Sequence, residues 1–289
     1  MTHTAFSAAR PDDDNSTLPA HSASWQAMPQ VDPATLTRYL DDAAATAGVQ
    51  QAAAYALSLL RLAPGQRVVD VGCGTGVFLP ALSRAVGETG FVVGLDHAPA
   101  LLAEAKRRMQ RLGLLSQVQL ECADATSLPF PDASFDAAHI SRVLIHVEDP
   151  NAVLREMKRV TRPGGWIVAV EPDFLGMRID HSDPETSHAL VRAFCSGFRH
   201  PGMGLELWRR FSEVGLVERE LRVVTEIDAA YTEDVATYTR QTADRAVALG
   251  LLSPQQARFV VEYLDQAGAL DRYATYSSLF VAAGRVAPE

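Results

Sequence analysis

Cysteine is scarce in this chain. Cys73, Cys122 and Cys195 are the three among 289 residues, far apart and without the spacing of a metal-ligand set. Few, scattered thiols exclude a disulfide framework and fit a reducing compartment. Cys73 lies in a crowded glycine turn, where small size explains it better than reactivity. Lysine is scarcer still, at Lys106 and Lys158 only, so arginine supplies nearly all of the 26 basic residues. Against 35 acidic residues they leave a formal charge of −9. That balance argues against a nucleic-acid partner, because phosphate binding wants a basic face. No apolar run comes near the ~20 residues of a membrane span. The opening MTHTAFSAARPDDDN has neither the apolar nor the basic region of a signal peptide. A cytoplasmic protein with no membrane partner is expected. What the chain does have is apolar mass: 47% of its 289 residues are hydrophobic, enough for one sizeable α/β domain with additions, or for two small domains.

Residues 1–30 are rich in Ser, Pro, Asp and Ala with little periodicity, and read as a flexible N-terminal tail. Residues 31–66 carry two helical patterns, LTRYLDDAAATAG and VQQAAAYALSLLRL, closed by Pro64-Gly65. From residue 67 strand and helix signals alternate. Strands are expected at Arg67 to Val71, Gly90 to Leu95, Gln117 to Cys122, Phe135 to Ser141 and Gly165 to Glu171. Helices are expected between them, at Val77 to Val86, Ala98 to Leu112 and Asn151 to Val160, the last opened by Asp149-Pro150. Short apolar strands separated by helices imply a parallel sheet covered on both faces, with ligands beyond the carboxyl ends of its strands. After Glu171 the alternation weakens. Helical patterns at Pro184 to Phe198, Leu205 to Val214, Thr232 to Leu249 and Pro254 to Gln266 suggest cap insertions at about 174–214 and 231–268 on a core of 67–289. LVERELRVVTEI and the terminal RYATYSSLFVAAGRV read as strands.

The stretch VVDVGCGTGVF, residues 68–78, is a strand turning tightly into a helix. Gly72, Gly74 and Gly76 give G-x-G-x-G, one residue off the dinucleotide fingerprint, with Val77 where its third glycine would stand. Asp70 precedes the turn, and a carboxylate there repels a pyrophosphate but attracts an ammonium group. The turn therefore suits a nucleoside with a cationic amino-acid tail better than a dinucleotide. Asp96, twenty residues after Gly76, ends the second strand and can accept both hydroxyls of a ribose. Nicotinamide enzymes use the same device, so Asp96 alone does not discriminate. Asp124 follows the third strand, where an acid can accept from an exocyclic amine.

DVGCGTG, GLDHAP, CADATSLPFPDASFD and the run to RVTRPGGWIVAVEPD together resemble the class I S-adenosylmethionine-dependent methyltransferases. They look most like the small-molecule group that includes the ubiquinone and menaquinone C-methyltransferases, over residues 67 to about 173. The resemblance implies a Rossmann-like α/β fold, with a seven-stranded, mostly parallel sheet whose last strand is antiparallel. It implies S-adenosyl-L-methionine as cofactor, S-adenosyl-L-homocysteine as product, a small-molecule methyl acceptor and no metal. Asp70, Gly72 and Gly74 would lie along the methionine part, Asp96 would hold the ribose, and Asp124 with the Ala125 backbone would read the adenine. Ser141 and Arg142 would border the sulfonium. His97 either stacks on the adenine edge or merely fills the site.

Methyl transfer from a sulfonium is an in-line displacement, so the protein's main task is alignment, and a base is needed only where the nucleophile must lose a proton. The candidates are His146 in SRVLIHVEDP, as a base, and Glu171 at the rim of the fifth strand, orienting a substrate hydroxyl or amine. His139 reads as a packed core histidine. His181, His188 and His200 are too loosely spaced for a metal site. Tyr39, Phe174, Phe198, Trp208 and Tyr238 are candidates for the acceptor pocket. A protein of this fold that binds the cofactor without methylating is the alternative, and a homodimer is compatible with either reading. A nicotinamide oxidoreductase is disfavoured by the glycine spacing and by Asp70.

Overall fold

Four helices start on a capping side chain followed by proline, the residue whose missing amide is tolerated only in the first turn. Asp32 caps α1 (Pro33–Ala45), Asp149 caps α5 (Pro150–Val160), Asp183 caps α6 (Pro184–Cys195) and Ser253 caps α9 (Pro254–Ala269). The computed structural model describes residues 32–288, and the stretch expected as a tail, 1–30, lies outside them. The other helices are α2 (Ala47–Leu59), α3 (Leu79–Val86), α4 (Pro99–Arg111), α7 (Met203–Glu213) and α8 (Glu233–Ala248). Helix α3 begins two residues later than the apolar pattern implies, because Pro80 can stand only in a first turn.

The strands are β1 (Arg67–Val71), β2 (Phe91–Asp96), β3 (Val118–Cys122), β4 (Phe135–Ser141), β5 (Thr161–Pro172), β6 (Arg178–Ile179), β7 (Val217–Asp228) and β8 (Thr275–Arg285). They form a sheet in the order β3-β2-β1-β4-β5-β8-β6, with β7 also on β8. The first five run parallel, and β8 runs antiparallel to β5, β6 and β7. This is the expected mostly parallel sheet with its last strand reversed. The eighth strand, β6, is two residues long and continues the edge of β8 that β5 occupies. Strand β5 starts earlier than expected, since Thr161 pairs with Phe135 before a register shift. The shift spans Pro163, which has no amide to give to the ladder.

Alternate residues on the central strands feed two cores. Val69, Val71, Ile140, Ile167 and Ala169 face α5 and α7, through Val153, Leu154, Met203 and Phe211. Val68, Val92, Ala137, Val168 and Val281 face α2, α3 and α4, through Ala52, Leu82 and Met109. A separate small core joins α6, α8 and α9 through Ala193, Ala246 and Val260. Within the stretch 174–214, then, α6 belongs to this cap while α7 packs on the sheet. Among the described residues, no helix is long and apolar enough to cross a membrane.

Candidate active site

Strand order reverses between β1 and β4, the place where an open parallel sheet leaves a crevice at its carboxyl ends. The chain leaves β1 there through Gly72 and Gly74, at φ 70° and 54°. A Cβ on Gly72 would lie 2.3 Å from Val143 Cγ2, so this glycine lets the β4 loop close on the turn. A Cβ on Gly74 would meet nothing within 4 Å, so its backbone is bare toward the crevice. The turn is tied to the end of β2: Cys73 N–H donates to Leu95 O at 2.8 Å, and Gly74 N–H to Asp96 Oδ2 at 2.9 Å. Ala98 N–H donates to the other oxygen, Asp96 Oδ1, at 2.9 Å. Each oxygen thus has one main-chain partner and keeps a lone pair for a ligand. Asp96 is only 4% exposed. Burial lifts its pKa above the ordinary value against the two amides and His97, and the charge of Asp70 adds to the lift. Burial, with the charges of Asp70 and Asp96, also pushes the Cys73 thiol well up, the opposite of what a reactive cysteine needs.

Asp70 Oδ1 lies 2.7 Å from His139 Nδ1, both side chains buried and adjacent across the β1–β4 pair. His139 is packed, as expected, with its ring centroid 4.3 Å from that of Phe78. Its contact with Asp70 was not legible, because the two residues are 69 positions apart. His139 Nε2 has no hydrogen-bond partner among the described residues.

Asp124 stands just past β3 and accepts from Thr126 N–H and Oγ1 at 2.8 and 2.7 Å, both on Oδ1. Those bonds hold its carboxyl below the usual carboxylate range and leave Oδ2 for a ligand. His97 Nδ1 is 3.5 Å from Asp96 Oδ1 with most of its ring exposed. Past β4, the loop of residues 142–149 carries Arg142 and His146. Its shape is set from below by Glu171, which is 0% exposed. Glu171 Oε1 accepts from Val143 and Leu144 N–H at 2.9 and 2.7 Å, and Oε2 from Ile145 N–H at 3.3 Å. Burial pushes its pKa up to about 7, opposed by those three amides and by Arg142. Glu171 is therefore under the loop, rather than at the expected rim where it would meet a substrate. His200 holds the same loop from the side, its N–H donating to Ile145 O and its Nε2 lying 3.1 Å from Val147 O. Nothing in the spacing of the histidines signals that role. His146 is kept neutral, its pKa lowered to about 4 by burial and then by the Arg142 charge.

A cavity of about 1760 Å³ joins these groups. Every residue expected at the site borders it except Glu171. Ligand pockets for one drug-sized molecule run to roughly 300–1,000 Å³, so this one has room for a nucleoside and a second molecule. Its far wall is aromatic. Phe174, Phe194 and Phe198 stand with ring centroids 4.9–5.2 Å apart, and Tyr238 is 5.8 Å from Phe194. Tyr39, Phe174, Phe198 and Tyr238 line the cavity as expected. Trp208 is not among the lining residues: it sits on the outer side of α7 with Arg219 4.5 Å over its ring. Phe194 was missed. Over the glycine turn, α1 is fastened by Asp41, which accepts from Thr75 Oγ1 at 2.8 Å and pairs with Arg108 of α4. Among the described residues no cluster of three or more His, Cys, Asp or Glu side chains is placed to hold a metal ion.

A mostly parallel sheet with a bare glycine turn and a buried acid at its switch point defines a Rossmann-like α/β fold. Comparison with known proteins makes that more specific. Residues 69–169 match the family described as Methyltransferase domain. Over 253 residues the chain is 33% identical to an uncharacterized 37.1 kDa protein in transposon TN4556 of Streptomyces fradiae, covering 86% of this chain and 71% of that one. It is 40% identical over 125 residues to the demethylmenaquinone methyltransferase of Bacillus cereus, covering 42% of this chain and 52% of that protein. The chain thus spans about half the length of the demethylmenaquinone methyltransferases it matches. The cyclase SpnF shares the fold, with a TM-score of 0.52 at 22% identity over 83% of this chain and 82% of that one. The chain belongs to the class I S-adenosylmethionine-dependent methyltransferases.

Proposed function

We propose that this protein transfers the methyl group of S-adenosylmethionine to a small organic acceptor held between the sheet and the helical cap. The observation that carries this is Asp96: a buried carboxylate fixed by two main-chain amides, with one lone pair left on each oxygen beside a bare glycine turn. The residues present fit the cofactor. Asp96 would take the ribose hydroxyls, Asp124 Oδ2 and the Ala125 backbone the adenine, with His97 beside them. Asp70, anchored by His139, would face the amine of the methionine tail along Gly72 and Gly74. Ser141 and Arg142 would border the reacting end. The cofactor supplies a methyl group activated by a positive sulfur, and the chain supplies alignment of the two reactants in one cavity.

Glu171 acts in this reading as a positioning residue, since it fixes the loop that carries Arg142 and His146 and touches no ligand itself. His146, neutral at pH 7, would border the acceptor beside Arg142. Few scattered thiols and an acidic charge balance support a cytoplasmic protein acting on a small molecule, without nucleic acid or membrane, as a monomer or homodimer.

Calorimetric titration with S-adenosylhomocysteine and, separately, NAD tests the cofactor assignment. The homocysteine compound is expected to bind in the micromolar range and NAD not at all. Asp96→Ala should weaken that binding at least ~100-fold, because two hydrogen bonds to a charged group are lost at roughly 1.5–3 kcal/mol each. A preference for NAD would sink the proposal. Label from methyl-tritiated cofactor should then appear in an acceptor. Cofactor binding with no transfer to any member of a broad metabolite panel would replace the enzyme by a binding protein of the same fold.

A further inference from the structure

Arg142 is the first residue after β4, at φ 58°, in the left-handed region that a branched or long side chain rarely adopts. Its N–H donates to Val170 O at 2.8 Å, which fixes the turn. Its side chain borders the cavity. Among the described residues the guanidinium donates to no carbonyl or carboxylate, and no acid ion-pairs with it. The acids whose charges reach it are Glu171 and Glu226, with the Tyr39 phenol. Both acids are engaged elsewhere, Glu171 by three loop amides and Glu226 by Gly48 N–H at 3.3 Å. A strained backbone therefore holds an unmatched, half-buried cation at the edge of the cavity. Such a charge is stabilised further when an anion joins it there.

The surroundings narrow the anion. The Tyr39 phenol and the neutral His146 lie close enough to Arg142 to feel its charge, and His146 leads to the wall of Phe174, Phe194, Phe198 and Tyr238 in the same cavity, with Phe198 5.8 Å away. An amine acceptor arrives protonated, is repelled by the guanidinium, and needs a base to expose its lone pair. With a pKa of about 4, His146 is too weak a base for that task. An acceptor already ionised in water needs neither base nor proton relay.

Resting on the methyltransferase reading above, we infer that the acceptor enters as an apolar, ring-bearing oxyanion (a carboxylate, phenolate or enolate) whose negative end pairs with Arg142 while its body lies on the Phe174–Phe194–Phe198–Tyr238 wall. The step balances without a catalytic base. The acceptor's electron pair forms the bond to the methyl carbon, the carbon–sulfur bond breaks onto sulfur, and the charges of anion and sulfonium cancel. The proton has already gone to solvent.

The test is calorimetry with saturating S-adenosylhomocysteine present, using naphthalene-2-carboxylate and 2-naphthylmethylammonium as paired probes. Both carry the same ring and differ in the sign of the charge. The wild type should bind the carboxylate at least tenfold more tightly than the ammonium. Arg142→Asn keeps a residue that tolerates the left-handed backbone, and should erase that preference in the complex held at saturating S-adenosylhomocysteine. Arg142→Lys, which retains the charge, should keep most of it. The inference is overturned if the ammonium binds as well as the carboxylate, if neither probe binds at 5 mM (about the millimolar range), or if Arg142→Asn leaves the preference intact. It is also overturned if Arg142→Asn abolishes S-adenosylhomocysteine binding in a protein that Arg142→Lys shows to be folded, for Arg142 would then hold the carboxylate of the cofactor tail. Failure of the wild type to bind S-adenosylhomocysteine is a separate result, which removes the methyltransferase reading itself.

Discussion

On the sheet side of the cavity the contacts offered to a ligand are set by the main chain. Gly74 and Ala98 aim their amides at Asp96, and Gly72 brings Val143 against the turn. On the cap side they are set by side chains, four aromatic rings from the segment after β5, from α6 and its C-terminal end, and from α8. The first wall is built from φ angles and tolerates few residue types. The second is built from packing and tolerates many. If the proposed function holds, such a fold can keep the wall that faces the cofactor fixed while the wall that faces the acceptor changes, and mutations on the two sides should fail in different ways.

The largest contrast is expected at Gly72. An alanine there meets Val143 Cγ2 at 2.3 Å and must hold φ 70°. The left-handed backbone costs roughly 1–2 kcal/mol and overpacking roughly 1–3 more. Gly72→Ala should therefore lower the melting temperature by on the order of 10 °C, given about 2–4 °C per kcal/mol for a chain near this size. Binding of S-adenosylhomocysteine should fall with it. A shift within ~1 °C, against that expectation, would show that the turn is more pliant than its geometry implies.

That same contrast decided what was legible in the sequence. Glycines before a helix and acids at strand ends are confined to positions where only they serve, so Asp70, Gly72, Gly74, Asp96 and Asp124 could be placed around one crevice from spacing and family resemblance. The mostly parallel sheet and the reversed β8 came with them. Long-range pairs left no such mark: His139 reaches Asp70 across 69 positions, and His200 reaches the Val147 carbonyl across 53. Glu171 is the instructive miss. Strand parity sets it on the face of Ile167 and Ala169, which feed the α5–α7 core, whereas Val170 and Pro172 face the cavity. The alternation carries that information: a strand-end acid reaches the rim only from the face that Val170 and Pro172 take. Trp208 was misplaced for a similar reason, because helical periodicity does not say which neighbour a helix meets.

On the acceptor wall, Phe198→Ala should cost about ten- to a hundredfold in kcat/KM for the acceptor, from roughly 1.5–3 kcal/mol of apolar contact. The affinity for S-adenosylhomocysteine should stay within about threefold, since less than 1 kcal/mol of it would be touched. Phe198 also stacks near His146, at 5.8 Å between ring centroids, so part of the loss should appear in kcat. Equal losses in acceptor and cofactor affinity would break the division between the walls.

The subtlest effect sits where the walls meet, on the loop between Glu171 and His146. Glu171 has a folded pKa of about 7 against 4.5, so the native state holds its proton more tightly. Its contribution to stability is fully present below pH 4.5 and is lost as pH rises toward 7. His146 has a folded pKa of about 4 against 6.5, so the native state resists its protonation. Its contribution is present above pH 6.5 and is lost as pH falls toward 4. Between pH 4.5 and 6.5 the two slopes oppose each other, with Asp96, also raised, adding to the Glu171 side. Stability from urea denaturation should therefore be flatter over this range in the wild type than in either single variant. Glu171→Gln should tilt the curve toward rising stability with pH, although exchanging one of its two acceptor oxygens for an N–H donor lowers it throughout. His146→Gln should tilt it the other way. Variant curves displaced in parallel would mean that neither group titrates differently on folding. The hydrogen bonds of Glu171 and His200 would then hold the loop without any linkage to protons, and its shape would be the same across the whole pH range.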